Sequence, residues 1–356
     1  MRKASLSFLE ELVNTPSPSG REARGQRVWL DYVAPYADET SSDAYGNVVA
    51  TLNKGGGPRL MIAAHADEIA MTINYVDNDG YLYVRRLGGI DAAITKAQRV
   101  TIHTRKGPVL GVVGNVAPHL MKIGGERKVP QISDIFIDIG VNSKKEAEKL
   151  VRIGDPITLN DQFEFLRGDK VVARAFDNRV GTFAVAETLR LLSSQKSKLN
   201  CEVCFVSNTM EEIGCLGARQ IAYALNPDVA LIVDVTHATD YPTVNKQIHG
   251  DIKIGEGPTL THGTNNHVEV VDRLEKVAKT RKIPLQHEAN SATSGTDTDV
   301  VFWTRGGIAS ALVSLPNRYM HSPVEVISLK DLALIPELFA AFALSLKKDE
   351  EFKVKI

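Results

Sequence analysis

Six side chains able to bind a cation or carry a proton lie at or near the ends of apolar runs in this chain: His65, Asp177, Glu211, Glu212, Asp234 and His321. His65 stands in Ala64-His65-Ala66-Asp67-Glu68, directly after the run RLMIA. An imidazole there can ligate through one ring nitrogen. Asp67, two residues on, falls on the same side of an extended chain and can hold the other nitrogen. Asp177, in Phe176-Asp177-Asn178-Arg179, could cap the helix that follows, but a carboxylate with two free oxygens is also what a bridge between two cations requires. Glu211 and Glu212 follow the run ending in VSN, and adjacent carboxylates repel each other unless cations or a shared proton compensate. Read as an exposed acidic loop they would need neither. Asp234 follows VALIV and His321 follows IASALVSL, and each taken alone reads as a turn or structural residue.

The set carries more than its members. Five apolar strands that each lead into His, Asp or Glu can gather those residues on one edge of a sheet, where open α/β folds place their ligands. The donors are nitrogen and oxygen without sulfur, which suits Zn²⁺ or Co²⁺. His103, within a strand of the insertion, His119, in a loop after Pro118, and His249, His262, His267 and His287, without neighbouring carboxylates at strand ends, read as structural. His237 is close enough in sequence to Asp234 to line the site, and Thr296 or Asp297 reads as an N-cap.

The elements that must position these residues alternate. Amphipathic helices near Leu6 to Asn14 and Glu22 to Val33 precede strands GNVVATLN and RLMIAAHAD. After His65 the pattern becomes two β-hairpins, one around Asn78-Asp79-Gly80 and one around Lys106-Gly107, then a helix capped by Ser143 and a short ITL strand. From Val171 the α/β rhythm returns: a helix Arg179 to Leu192, strand Cys201 to Val206, helix Leu216 to Leu225, strand Val229 to Val233 and a last helix Leu329 to Leu344. The expectation is a mixed-sheet α/β domain over 1-66 and 166-356, interrupted by a small β-rich domain over 67-165.

Length, 356 residues, suits two such domains, and a formal net charge of -1 gives no field that would draw nucleic acid or an anionic membrane. No apolar run reaches the length of a membrane span and no signal peptide is evident, so the cytoplasm is the expected compartment. Cys201, Cys204 and Cys215 are too few for a disulfide framework. Cys201 and Cys204 fall three apart in a buried strand, should point to opposite faces, and are expected to pack rather than bind metal.

The ordered motifs HADE at 65 to 68, AQRV at 97 to 100, FIDIG at 136 to 140, AFDNR at 175 to 179, EEIG at 211 to 214, DVTHATD at 234 to 240, SGTDT at 294 to 298 and MHSPVE at 320 to 325 resemble the tetrahedral aminopeptidase family, which includes glutamyl aminopeptidases and proteins often labelled cellulase M. The resemblance spans nearly the whole chain. It implies two divalent metal ions bridged by Asp177, with His65 and Asp234 completing one site and Glu212 and His321 the other. It also implies Glu211 as general base, Asp67 as the residue orienting His65, and a cis peptide at Asp177-Asn178. The inserted domain resembles the family's dimerisation domain, whose dimers build hollow dodecamers.

The expected reaction is removal of N-terminal residues from peptides with a free amine. Glu211 would take a proton from the attacking water and return it to the leaving amine. Two other hydrolases share parts of this set. A metal-dependent N-acyl amino acid deacylase could use a similar dinuclear site. A β-1,4-glucanase needs two carboxylates on opposite sides of the scissile bond, which adjacent residues rarely provide, and has no use for the histidines.

Overall fold

The computed structural model describes residues 1–120, 129–354 and 356. Its largest element is an eight-stranded mixed sheet in the order Glu39–Ser42, Val48–Leu52, Glu202–Asn208, Arg59–His65, Val229–His237, Ala309–Asn317, Thr259–Gly263, Gln286–Asn290. The strands Glu202–Asn208, Arg59–His65, Val229–His237 and Ala309–Asn317 run parallel through its centre. Their near-continuous apolar sequence is what a strand covered on both faces requires. One face carries the helices Lys3–Asn14, Phe176–Ser193 and Leu329–Ser345; the other carries Leu216–Leu225 and the short Thr298–Val301.

Helix Phe176–Ser193 lies between that sheet and its neighbouring helices with almost every residue buried, so it has no polar stripe to present. Trp29, fully buried, donates its indole N–H to the Thr182 carbonyl at 2.8 Å and fixes the next helix against it. Cys201 and Cys204 are buried in the cores on opposite faces of the sheet, as their spacing predicts.

Two expectations about strands need correction. Asp234 does not follow its strand: pairing with Ala309–Asn317 continues to His237, so Asp234 lies within it. Strand Lys170–Ala173, which precedes Asp177, is not in the large sheet at all. It pairs antiparallel with Glu164–Phe165 and Glu325–Ser328 in a separate three-stranded sheet, so Asp177 is carried to the site by that small sheet and the start of its helix, which packs on the central strands. The edge strand Glu39–Ser42 is exposed throughout; its sequence, ETSS, has no apolar period to betray it.

Between Ala70 and Leu159 the chain closes a six-stranded antiparallel barrel, in the order Ala70–Val76, Leu82–Leu87, Phe136–Asp138, Gly107–Val113, Arg99–Thr104, Pro156–Leu159. Closure removes the unpaired edges that short strands would otherwise expose. Met71, Ile73, Leu82, Val100, Ile102 and Ile157 fill it. The first hairpin turns at Asn78-Asp79-Gly80, where the Asp77 carboxylate accepts the N–H groups of Asp79 and Tyr81 and Gly80 takes φ 95°. The second turns on Arg105-Lys106, and Gly107 already belongs to the returning strand. Ser143 caps helix Lys144–Leu150 through the Glu146 N–H. Among the described residues no helix is long and apolar enough to cross a membrane.

One barrel histidine reports on pH. His103 lies 2.8 Å from the Thr158 hydroxyl, and burial pushes its imidazole down to about 4. A depressed histidine stabilises the fold fully above its ordinary value near 6.5, and that contribution disappears as pH falls through the folded value. Thermal unfolding followed from pH 7 to pH 4 should therefore show a steeper loss of Tm in the native protein than in His103→Gln. Parallel curves would show that His103 contributes nothing to acid sensitivity.

Candidate metal centre

The parallel strands of the large sheet end where the barrel and the three-stranded sheet meet it, and all the singled-out residues converge there. His65 ends its strand in full burial. Its Nε2 lies 3.2 Å from Asp177 Oδ1, 3.7 Å from Glu211 Oε2 and 3.8 Å from Asp234 Oδ1. His321 approaches from the other side, with Nε2 3.1 Å from Asp177 Oδ2 and 3.5 Å from Glu212 Oε2. Asp177 thus presents one oxygen to each histidine. It does not cap its helix: the Asn178 carboxamide oxygen accepts the Gly181 N–H at 3.0 Å instead, which leaves Asp177 free. The Asp177-Asn178 peptide is cis.

Asp67 holds more than His65. Its Oδ1 sits 3.3 Å from His65 Nδ1 and accepts the Glu211 N–H at 2.9 Å, while Oδ2 accepts the Ser19 hydroxyl at 2.6 Å and the Glu212 N–H at 3.2 Å. One carboxylate therefore fixes the histidine and the loop that carries both glutamates. Glu325 does the same on the far side, accepting the Asp177 N–H and the His321 N–H, each at 3.0 Å. Sequence reading missed Glu325, although it lies in the MHSPVE motif, because its role rests on backbone groups two loops apart. Asp297 is a second omission. It does not cap Thr298–Val301; Thr296 Oγ1 takes the Thr298 N–H at 3.3 Å, and Asp297 turns into the site, where Asn208 donates to it at 2.7 Å.

Beneath lies a buried charge network. Glu68 accepts Arg174 at 2.5 Å, Arg179 at 3.1 Å and the Ser17 N–H at 2.8 Å; Arg179, without exposed surface, also donates to the carbonyls of Leu12 and Thr15. From the barrel, Gly88 and Gly89 close the site. A Cβ on Gly89 would meet His321 Nδ1 at 2.7 Å, and one on Gly88 would meet Glu212 Oε2 at 3.1 Å. A cavity of about 580 Å³ opens over the cluster, with His237 on its wall.

The electrostatics are unbalanced. Asp67, Asp177, Glu211, Glu212, Asp234 and Asp297 share the site with two imidazoles. Burial pushes the Glu211 carboxyl up to about 8 against the opposing pull of His65, and the charges of Asp297, Asp177 and Asp67 add to the rise. Glu212 and Asp234 are driven well above the carboxylate range by burial, with Asp177 adding to the rise at each. At Asp177 burial is outweighed by the hydrogen bonds from His321 and His65, which hold it well below that range. Buried carboxylates in this number call for cations. Two orphaned atoms agree: Glu212 Oε1 and Asp297 Oδ1 are buried without a hydrogen-bond partner. His65, Asp177 and Glu212 offer ligand atoms all within 4.8 Å of one another, a donor set fitted to a divalent cation.

The histidines read as structural have company the sequence hid. His262 Nε2 is 2.9 Å from His287 Nδ1, and Glu275 lies within 3.8 Å of both. They come from neighbouring strands and from helix Val268–Arg281, at an exposed edge away from the main cluster.

An α/β sheet with a carboxylate and imidazole cluster at its strand ends, roofed by a barrel, is the architecture of a hydrolase family. The chain belongs to the M42 glutamyl aminopeptidase family, whose model matches residues 46–338. It is 34% identical to the lysyl aminopeptidase of Pyrococcus furiosus over 91% of this chain and 92% of that protein. The TET aminopeptidase of a marine sediment archaeon of the Thaumarchaeota superposes with a TM-score of 0.91 at 31% identity, covering 97% of both chains. The TET1 peptidase of Pyrococcus horikoshii, which can assemble into a tetrahedron or a large octahedral shell, superposes at 0.86 with 29% identity, over 96% of this chain and 100% of that one.

The charge network makes a stability prediction. Glu68→Gln removes the carboxylate that Arg174 and Arg179 both pair with, so denaturant unfolding should lose roughly 3–5 kcal/mol. An unchanged midpoint would show that the two guanidiniums are compensated elsewhere.

Proposed function

We propose that this chain is a dinuclear metallo-aminopeptidase that removes N-terminal residues from peptides with a free amine. The observation that carries the reading is Asp177, set between His65 and His321 with one carboxylate oxygen facing each. His65, Asp177 and Asp234 would hold one cation, and His321, Asp177 and Glu212 the other. Zn²⁺ and Co²⁺ both suit this donor set. When bound, the cations would polarise the scissile carbonyl, acidify water and receive the substrate's free amine.

The protein's own part is positioning and proton transfer. Glu211, 3.7 Å from His65 through Oε2 and anchored at its N–H by Asp67, faces the cavity as the general base. It takes a proton from the attacking water and returns it to the leaving amine. Nearby cations lower a carboxyl that burial has raised, so occupancy would bring Glu211 into its working range. Asp67 keeps His65 in one ring orientation, and Gly88 and Gly89 leave room for His321 and Glu212. The proposed ligands and base all lie in 1-66 and 166-356, which would form the catalytic domain, while Asp67, Gly88 and Gly89 reach the site from the insertion. The inserted 67-165, containing the barrel, would be the dimerisation surface of a dodecameric shell like those of the TET relatives. A cytoplasmic setting accords with three free cysteines.

The test is hydrolysis of free-amine aminoacyl anilides before chelation, after it, and after Zn²⁺ or Co²⁺ is returned. Metal-restored activity is expected, and equal turnover of N-acetylated substrates would favour a deacylase. Glu211→Gln should retain its metal while activity falls roughly 10²–10⁴-fold. Near-native turnover would remove Glu211 from the role. Gly89→Val should displace His321 and weaken metal retention in equilibrium dialysis; unchanged retention would mean that the loop yields.

A further inference from the structure

A second cavity, of about 700 Å³, opens beside the metal centre and shares Val235, Thr236, His237, Ser294 and Thr296 with it. Its charged feature is Glu288, on the strand Gln286–Asn290. Oε1 of that carboxylate accepts the Thr261 hydroxyl at 2.6 Å and Oε2 accepts the Thr236 hydroxyl at 2.7 Å. Among the described residues no cation pairs with it.

The other charged groups nearby are occupied. Lys246, on the same cavity, is held 2.5 Å from Asp251. Asp299, at the rim of the metal centre, is satisfied by the N–H groups of Ser294 and Gly295, by the Ser294 hydroxyl and by Asn265. His287 turns to His262 and Glu275 on the opposite face. Burial keeps His237 below the usual imidazole range, so it adds no cation near neutrality. His249 is the remaining basic side chain on the wall. Glu288 therefore stands half-buried with two hydroxyls on its oxygens and, among the described residues, no cation within salt-bridge distance.

Distance decides what could enter. Thr236 follows Asp234 by two residues on one strand, so both side chains leave the same face about 7 Å apart. Thr236 in turn touches Glu288. A substrate whose amine is held at Asp234 would place its first side chain along this row, and a four-carbon ammonium stem or a guanidinium can span the interval. A leucyl side chain would cover the carboxylate without pairing it, and a glutamyl one would be repelled.

We propose, resting on the aminopeptidase reading above, that the preferred N-terminal residue is lysine or arginine and that Glu288 receives its charge. Glu288 is a specificity residue; it touches substrate away from the scissile bond and takes no part in proton transfer. The experiment is a panel of lysyl, arginyl, leucyl and glutamyl p-nitroanilides with the Co²⁺- or Zn²⁺-loaded protein and with Glu288→Gln, together with calorimetric binding of L-lysinamide to the native protein.

The expected result is kcat/KM for the two basic substrates at least about tenfold above the others. In Glu288→Gln those values fall on the order of 10²-fold, mainly through KM, while leucyl hydrolysis changes by less than about threefold. L-lysinamide binding should weaken in parallel. A native preference for leucyl or glutamyl substrate, or a lysyl-to-leucyl ratio unmoved by Glu288→Gln, overturns the proposal and leaves the aminopeptidase reading standing. Hydrolysis of none of the four by the metal-loaded protein overturns both.

Discussion

Carboxylates crowded into a dry space are the constraint on which this molecule turns. Asp67, Asp177, Glu211, Glu212, Asp234 and Asp297 converge where the central strands end, and among the described residues His65 and His321 are the bases that meet them directly. Such a cluster is stable only if protons or cations neutralise it. Burial drives Glu212 and Asp234 toward the protonated form, which is how the site stands when nothing else supplies positive charge. Asp177 and Asp67 are held ionised against the burial, Asp177 because each of its oxygens meets an imidazole and Asp67 because it accepts from His65, Ser19 and the main chain. The carboxylate proposed to bridge two cations is thus among those the fold keeps charged.

Much of the surrounding structure serves to hold that crowd apart in a fixed geometry. Asp67 ties one histidine to the loop of Glu211 and Glu212 through two backbone N–H groups, and Glu325 ties Asp177 to His321 in the same way. Both anchors use carboxylates that accept from the main chain, so the ligand-bearing side chains are spared. Below them the Glu68 network locks the loop after the first helix to the start of helix Phe176–Ser193. Above, the barrel reaches the site with two glycines, since any larger residue would press on His321 or Glu212. Barrel and sheet are thereby coupled through contact at the metal centre.

The convergence of the candidate ligands was legible in the sequence because each lies at or beyond an apolar run, and parallel buried strands are apolar on both faces. His65, Asp234 and the two glutamates could be placed by that rule. Asp177 does converge with the other candidates, but not at the end of a strand of the main sheet. Its strand belongs to the three-stranded sheet, and a single sequence carries no signal of which strands pair across a hundred and fifty residues. The barrel hairpins were visible through their turns, whereas Glu39–Ser42 and Gln286–Asn290 were not, being polar edge strands. Asp297 was read as a helix cap, His262 and His287 as structural, and Glu325 and Glu275 were not singled out, because the place of each depends on contacts between distant segments rather than on local spacing.

Equilibrium dialysis against Zn²⁺, comparing the native chain with Asp177→Asn, tests most directly whether the carboxylate cluster is a two-cation site bridged by Asp177. Two tightly held equivalents per native chain, with at least one lost in the variant, are expected. No tightly held Zn²⁺ in the native chain, or the same stoichiometry and affinity in Asp177→Asn, would contradict it.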